Sequence, residues 1–206
     1  MIKGSEVRKT NSSVERIFID RWSPRSMSGE PIELAELTVL FEAARWAPSS
    51  GNAQPWRMLF ARRDTPHWPT FFGLLTPSNQ VWAQHAAALV VFISRQISER
   101  SGRPAVTHAY DTGAAWENFA LQGTLKGYVV HGMEGFDYER ARTQLAIPQE
   151  FQVQAMAAVG HPGRVEDLPE HLQKREIPSD RRPLEQTICE GPFALTWNGR
   201  PSFKSS

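Results

Sequence analysis

The sequence predicts a protein of mixed helices and strands, with the helices packed on one central sheet. Helical and strand-like apolar patterns alternate along the chain, which argues for this arrangement. The 206 residues suit one domain over 1–206, and a chain of this length can bury roughly 70% of its unfolded surface. Residues 1–11 are polar and are expected to be loose, and residues 164–182 are expected to form a surface excursion.

The first helices follow from capping residues and from helical spacing. Ser12 and Glu15 have the spacing of a capping box, ahead of a short apolar face. A second helix is expected from Pro31, a residue that suits a first helical turn, through Ala44. Pro48 then ends it.

Short apolar runs predict the strands in the first half of the chain. Trp56–Ala61 is expected to be a strand, and His67–Leu75 fits a short helix only ambiguously. Ala86–Ile93 is an uninterrupted apolar run of strand length, so we expect a strand that is buried on both faces.

The second half of the chain has clearer signals. Thr107–Leu125 carries apolar residues at helical spacing and is the best candidate for a long central helix. Tyr128–His131 and Gln152–Val159 are expected to be strands. Asp137 is expected to cap a helix that runs through Leu145.

Composition excludes several classes of function. Apolar residues are 40% of the chain, charged residues are 22%, and the net charge is +1, so neither disorder nor a nucleic-acid partner is expected. The longest apolar run has eight residues, and about 20 are needed to span a membrane. Cys189 is the only cysteine, which excludes an intramolecular disulfide and favours a cytoplasmic protein. The six histidines are scattered, so no metal site is expected.

The first informative motif is Arg21-Trp22-Ser23-Pro24-Arg25, directly after the first predicted helix. In an extended segment, Arg21, Ser23 and Arg25 share one face. That face suits a phosphate, a ribityl chain or an electron-rich ring edge, because arginine forms bidentate charged hydrogen bonds. The alternative is a solvated charged loop.

The second motif is the loop from Trp46 to Trp56, between a helix and a strand. It is rich in small hydrogen-bonding residues, and two prolines stiffen it. Such a loop suits the edge of a planar ligand. The alternative is a rigid connection in which serine and asparagine satisfy backbone groups.

Together these motifs resemble the FMN-dependent nitroreductase family. The resemblance rests on Arg-x-Ser-x-Arg, a helix, and then Ala-Pro-Ser-Ser-x-Asn-x-Gln-Pro-Trp. Residues 132–137 and 181–185 resemble two further family segments, so the similarity covers about residues 16–190. It implies an α+β fold, with a central mixed or antiparallel sheet flanked by helices on both sides in three layers. It also implies an intertwined homodimer with FMN at the interface, in which Phe193–Trp197 is a candidate arm to the partner.

The resemblance also implies roles for individual residues. Arg21 matches an arginine that binds the FMN phosphate, and Ser23 and Arg25 match residues beside the ribityl chain and the flavin N1–O2 edge. Arg181 matches a second phosphate cation, with Arg182 as the alternative. Trp22 belongs to the first of these segments.

Other implied contacts come from elsewhere in the chain. Asn79 matches an asparagine that bonds the pyrimidine ring. The backbone amides of Glu134 and Gly135, next to Met133, match groups near flavin N5 and O4, and no side chain is expected to be catalytic. The implied loop over the flavin of the other subunit contains Pro48, Ser49, Ser50 and Asn52.

One position departs from the family pattern. Trp82 lies three residues after Asn79, where some members have a basic residue. The loss of that charge makes the redox potential and broad nitroaromatic activity open questions. The alternative is that Trp82 simply packs in the core.

The resemblance implies an FMN oxidoreductase that uses NADH or NADPH in a ping-pong cycle. Expected acceptors are small electron-poor molecules such as nitroaromatics, quinones or activated alkenes. The flavin would carry the chemistry, so no protein nucleophile is needed. Two alternatives stay open: a same-fold flavoenzyme of another reaction, such as a dehalogenase or dehydrogenase, and an FMN storage or sensing protein with little turnover.

Overall fold

A computed structural model describes residues 2–10 and 12–193, and four antiparallel strands form the sheet at its centre. The strand order is β1-β2-β4-β3, and every neighbouring pair is antiparallel. The strand bounds are Trp56–Arg62 (β1), Ala88–Arg95 (β2), Val129–Met133 (β3) and Phe151–Gly160 (β4). All four strands were predicted, with ends that differ by at most two residues.

Strand β2 organises the core because both of its faces are buried, as the apolar run predicted. Leu89, Val91 and Ile93 pack into one apolar cluster, on one side of the sheet. Val90 and Phe92 pack into a second cluster on the other side. Side chains alternate across a strand, so one continuous apolar run supplies two cores.

Seven α-helices are found in the described residues, and they cover both faces of the sheet. Leu37 of α2 and Phe119 of α5 belong to one cluster, while Phe71 of α3, Trp82 of α4 and Ala141 of α6 belong to the other. Their bounds are Arg16–Asp20 (α1), Leu34–Arg45 (α2), Trp68–Gly73 (α3), Pro77–Ala83 (α4), His108–Leu125 (α5), Tyr138–Gln144 (α6) and Glu170–Gln173 (α7). This arrangement confirms the three-layer α+β prediction.

Helix starts were predicted with mixed success. Asp137 caps α6 as expected, since its carboxylate accepts the N–H of Arg140 at 2.9 Å. The capping box at Ser12 is wrong, because Glu15 is the N-cap of α1 and has no side-chain cap bond. Helix α2 begins at Leu34 rather than at Pro31.

The chain outside the sheet layers makes contacts that the sequence did not predict. In the N-terminal segment, Gly4 is buried and the Trp22 indole N–H donates to the carbonyl of Ile2 at 2.8 Å. In the predicted excursion 164–182, Leu172 and Glu176 are buried. Of the predicted partner arm, residues 194–197 lie outside the described residues.

Candidate functional site

Two adjoining cavities meet at the Arg21–Arg25 segment. The first has a volume of about 520 Å³ and is lined mainly by cations, so we call it the cationic cavity. The second has a volume of about 360 Å³ and is lined by residues from β3, β4 and α5, so we call it the sheet-edge cavity. Arg21 and Ser23 line both.

The predicted face of the Arg21–Arg25 segment is present. Arg21, Ser23 and Arg25 all line the cationic cavity, whereas Pro24 and Ser26 are buried. Trp22 also reaches the cavity wall, although it is only 8% exposed. Alternation of this kind is expected for an extended segment.

Arg8 fixes the start of this segment from the N-terminal side. Its guanidinium donates to the carbonyls of Ile19 and Arg21, at 2.8 and 2.7 Å, and to the carbonyl of Ser179 at 2.7 Å. Burial lowers the pKa of Arg8, and the nearby Arg181 and Arg21 lower it further. Arg8 therefore joins the N-terminus to the 164–182 segment, with several cations close together.

Arg21 lies at the junction of the two cavities. Its Nε is 3.5 Å from a carboxylate oxygen of Glu117, and its Nη1 donates to the Ser23 hydroxyl at 3.4 Å. Only 16% of the Arg21 side chain is exposed. Both contacts are long, which leaves the guanidinium available to a stronger acceptor.

The cationic cavity has a net positive charge. Its lining cations are Arg8, Arg21, Arg25, Lys174, Arg175 and Arg181. Four carboxylates interact with members of this set: Glu117, Glu170, Glu176 and Asp180. The balance of about +2 matches a phosphate group, which carries about −1.5 to −2 at pH 7.

Arg181, not Arg182, lines the cavity. The 181–185 signature predicted a cation here and left the choice between the two open. Lys174 and Arg175, which also line it, were missed. They stand in a charged, proline-flanked stretch that has no motif of its own, so no local pattern indicates that they face the site.

His131 forms part of the wall behind Arg25. Its Nδ1–H donates to the carbonyl of Pro24 at 2.8 Å, and its ring lies 4.5 Å from the Trp82 ring. Burial lowers the pKa of His131 from 6.5 to about 4, and the positive charges of Arg25 and Arg21 contribute. The imidazole is therefore neutral at pH 7 and adds no charge to the cavity.

The sheet-edge cavity has an aromatic wall and a polar strand. Trp116 of α5 covers Gly132 so closely that a Cβ there would lie 2.9 Å from the indole ring. Met133 and Glu134, at the end of β3, also line the cavity. From β4, Gln154 faces the cavity and is held through its amide by the buried Ser94 hydroxyl at 2.7 Å.

Gly135 is held from behind by α4 and does not line either cavity. Its carbonyl accepts hydrogen bonds from the Thr76 N–H, the Thr76 hydroxyl and the Asn79 amide, each at 3.0 Å. A Cβ at Gly135 would lie 2.7 Å from the Asn79 amide nitrogen. In this structure Asn79 therefore orients the 134–135 segment and is not part of either cavity wall.

Trp82 belongs to the core. It is 1% exposed, and its indole N–H donates to the Asn79 side-chain oxygen at 3.3 Å. This outcome agrees with the core-packing alternative. Trp82 adds no charge to the site, and its indole N–H instead orients the Asn79 side chain.

The loop that contains Pro48, Ser49, Ser50 and Asn52 lines neither cavity. The Ser49 hydroxyl accepts the N–H of Gln54 at 3.0 Å, and the buried Asp111 accepts the N–H of Ser50 at 3.2 Å. Asn52 has a positive φ of 55°. Hydrogen bonds within one chain thus hold the loop in place, and its role over a partner's flavin stays a prediction.

Two kinds of feature are absent from residues 2–10 and 12–193. No helix there is long and apolar enough to cross a membrane. No cluster of three or more histidine, cysteine or acidic residues there has a metal-binding arrangement.

Comparison with known proteins places the chain in a family. The sequence model of the Nitroreductase family matches residues 19–67 and 69–161, which is more than half of the chain. The chain therefore belongs to the nitroreductase family, and the fold and both motifs agree with this assignment.

Three relatives add detail. A crystal structure described as an oxidoreductase containing FMN is 42% identical, with a TM-score of 0.88, over 92% of this chain and 97% of that one. A 15.4 kDa protein of Mycolicibacterium smegmatis, from the ask 5' region, is 31% identical over 59% of this chain and 81% of its own length. A Streptomyces coelicolor protein, named for NADH dehydrogenase and NAD(P)H nitroreductase activity, is 41% identical over 46 residues, 22% of this chain and 23% of its own.

Proposed function

We propose that this protein is an FMN-dependent oxidoreductase that uses NADH or NADPH to reduce small electron-poor acceptors. The observation that carries the proposal is the pair of adjoining cavities, one cationic with a net charge of about +2 and one with an aromatic wall. Support also comes from the FMN-containing relative, which is 42% identical over nearly the whole chain. The NAD(P)H donor has weaker support, from the name of a relative matched over 46 residues.

The cationic cavity fits the phosphate end of FMN. Arg21 and Arg181 would donate charged hydrogen bonds to the phosphate, and each such residue typically contributes about 1.5–3 kcal/mol. Arg8 would contribute less directly, because carbonyl oxygens already accept hydrogen bonds from its guanidinium. Its main role is to hold Arg21 and Ser179 in place.

The sheet-edge cavity fits the flavin ring. Trp116 offers an apolar surface, and Gly132, Met133 and Glu134 at the end of β3 line the same cavity. Gly135 and Asn79 hold that backbone in position, so Glu134 would act through its amide rather than its carboxylate. When bound, FMN would take a hydride from NAD(P)H and pass it to an acceptor such as a nitroaromatic, a quinone or an activated alkene.

Arg25 would supply positive charge near the flavin N1–O2 edge. Its side chain is 22% exposed and lines the cationic cavity, two residues after Ser23, which lines both cavities. A cation there favours the reduced cofactor, because reduction adds negative charge to that edge. His131 remains neutral and donates to the Pro24 carbonyl, so the imidazole adds no charge beside Arg25.

We also propose that the protein works as a homodimer, with the 48–52 loop over the partner's flavin. The loop is mostly exposed and lines neither of the two cavities of its own chain. Size-exclusion chromatography with light scattering tests the dimer. A monomer that binds FMN fully would refute this part alone.

Flavin affinity tests the phosphate assignment. We expect the double variant Arg21→Gln, Arg181→Gln to bind FMN about 10² to 10⁴ times more weakly, since two charged contacts are lost. The matched control is Arg16→Gln, Arg164→Gln, which removes two arginines with side chains 76% and 77% exposed. Isothermal titration of the apoproteins measures both. Full affinity in the first variant would contradict the phosphate assignment.

Reduction of the bound flavin separates this proposal from its alternatives. Flavin that NADH and NADPH both fail to reduce would favour an FMN storage or sensing protein. Rapid reduction without turnover on nitroaromatics or quinones would favour a same-fold enzyme of another reaction, such as a dehalogenase or dehydrogenase.

A further inference from the structure

We propose that Glu176 is a positioning residue that fastens the Arg21–Arg25 segment and sets the charge the site presents to its cofactor. The part that concerns charge rests on the proposed FMN function. The part that concerns position rests on the protein alone.

Glu176 is a buried carboxylate with dense contacts on one oxygen. It is 3% exposed. Its Oε1 accepts three hydrogen bonds, from the N–H of Arg25 at 2.6 Å, the N–H of Ser26 at 2.7 Å and the hydroxyl of Ser26 at 2.9 Å. The Glu176 carboxylate, 150 residues away in sequence, thus accepts hydrogen bonds from two adjacent backbone amides. One belongs to Arg25, the last residue of the Arg21–Arg25 segment, and the other to Ser26, which follows it.

The second oxygen of Glu176 is used differently. Its Oε2 is buried and has no hydrogen-bond partner, and the nearest cation is the Arg25 guanidinium, with Nη1 at 4.0 Å. A buried charge with an unsatisfied oxygen is costly. A glutamine could accept the same three bonds through Oε1 without that charge, so the backbone contacts alone do not require a glutamate.

The Arg25 guanidinium, beside Glu176, gives a reason for a negative charge at this position. Burial and the positive charge of Arg175 lower the pKa of Arg25, and the nearby Glu176 carboxylate raises it. Without Glu176 the net charge of the cationic cavity would rise from about +2 to about +3. Glu176 therefore moderates the field of Arg25, and a protein can tune a bound cofactor in this way.

Glu176 also explains how the 164–182 segment joins the site. Leu172, in α7, is buried in the core, and Glu176 follows four residues later. Between and just beyond them, Lys174, Arg175 and Ile177 form cavity wall. The carboxylate acts as a latch that holds this wall against the Arg21–Arg25 segment.

Hydrogen exchange in the apoprotein tests the latch. We expect Glu176→Ala to speed exchange of the Arg25 and Ser26 amides at least about tenfold, because both lose their acceptor. Glu176→Gln retains an acceptor oxygen and should keep most of the protection. The matched control is Glu170→Gln, whose carboxylate is 83% exposed and pairs with Lys174, another wall residue. It should leave both amides unchanged.

The affinities for oxidised and reduced FMN test the charge. We expect Glu176→Gln to favour reduced FMN by about tenfold in the ratio of the two Kd values, equal to about 30 mV for a two-electron couple. Glu176→Asp keeps the charge on a shorter side chain, so it should lose amide protection but keep the ratio. If Glu176 had only a structural role, the Kd ratio would not change in Glu176→Gln while amide protection is kept.

The outcomes distinguish this inference from the proposed function. If the protein binds FMN but Glu176→Gln leaves the Kd ratio unchanged, the role of the charge is refuted and the cofactor assignment stands. If Glu176→Ala leaves both amides protected, the latch is refuted. If the protein fails to bind FMN at all, the proposed function and the charge role fall together, while hydrogen exchange still decides the latch.

Discussion

His131 should make the stability of this protein depend on pH between about 6.5 and 4. Its pKa falls from 6.5 to about 4 in the folded protein, so the unfolded chain binds a proton more readily than the folded one. The neutral imidazole therefore contributes stability that is fully present above pH 6.5 and is lost as the pH falls through 4. A difference of this size corresponds to at most about 3 kcal/mol, and somewhat less because the ring borders a cavity.

Replacement of the histidine isolates this contribution. His131→Gln keeps an N–H donor for the carbonyl of Pro24 but does not titrate. Urea unfolding measures the free energy of unfolding of both proteins from pH 7.5 to pH 4. As the pH falls, the original protein should lose about 2–3 kcal/mol more of this free energy than the variant does. A difference that stays constant over this range would refute the buried, neutral assignment of His131.

Two further predictions concern the sheet-edge cavity. Gly132→Ala should destabilise the protein by about 1–3 kcal/mol and weaken FMN binding, because the new Cβ would push Trp116 toward the cavity. Thermal unfolding and flavin titration measure these effects, with Gly113→Ala as the control, since a Cβ there meets no atom within 4 Å. Ser94→Ala should cost about 1–3 kcal/mol, because the amide of Gln154 loses its buried partner, and denaturant unfolding measures the loss.

One result for each of these two variants would contradict its prediction. A stable Gly132→Ala protein with full flavin affinity would mean that Trp116 has room to move away from the cavity. An unchanged unfolding free energy for Ser94→Ala would mean that water replaces the hydroxyl at Gln154.

Strong periodic or uniformly apolar patterns made much of the fold predictable. The 88–95 strand and the long 108–125 helix were identified because their side chains face a core on one or both sides. Helix α4 was missed, because Pro77–Ala83 begins with proline and three polar residues and has no amphipathic stripe. The capping box at Ser12 failed because α1 has only five residues, and Glu15 stands at its N-cap.

The site was predictable only where a local motif marks it. Arg21, Ser23, Arg25 and Arg181 were singled out by motif, and the structure brings all four to one cavity. Glu176 was missed because its function depends on burial against a segment 150 residues away, and a lone glutamate in a charged stretch carries no local signal.

The central claim is tested most directly by the absorbance spectrum of the purified protein, recorded before and after NADH or NADPH is added without oxygen. We expect flavin bands, or their appearance when FMN is supplied, and their bleaching by at least one of the two nucleotides. A colourless protein that does not take up added FMN would contradict the proposed FMN-dependent function.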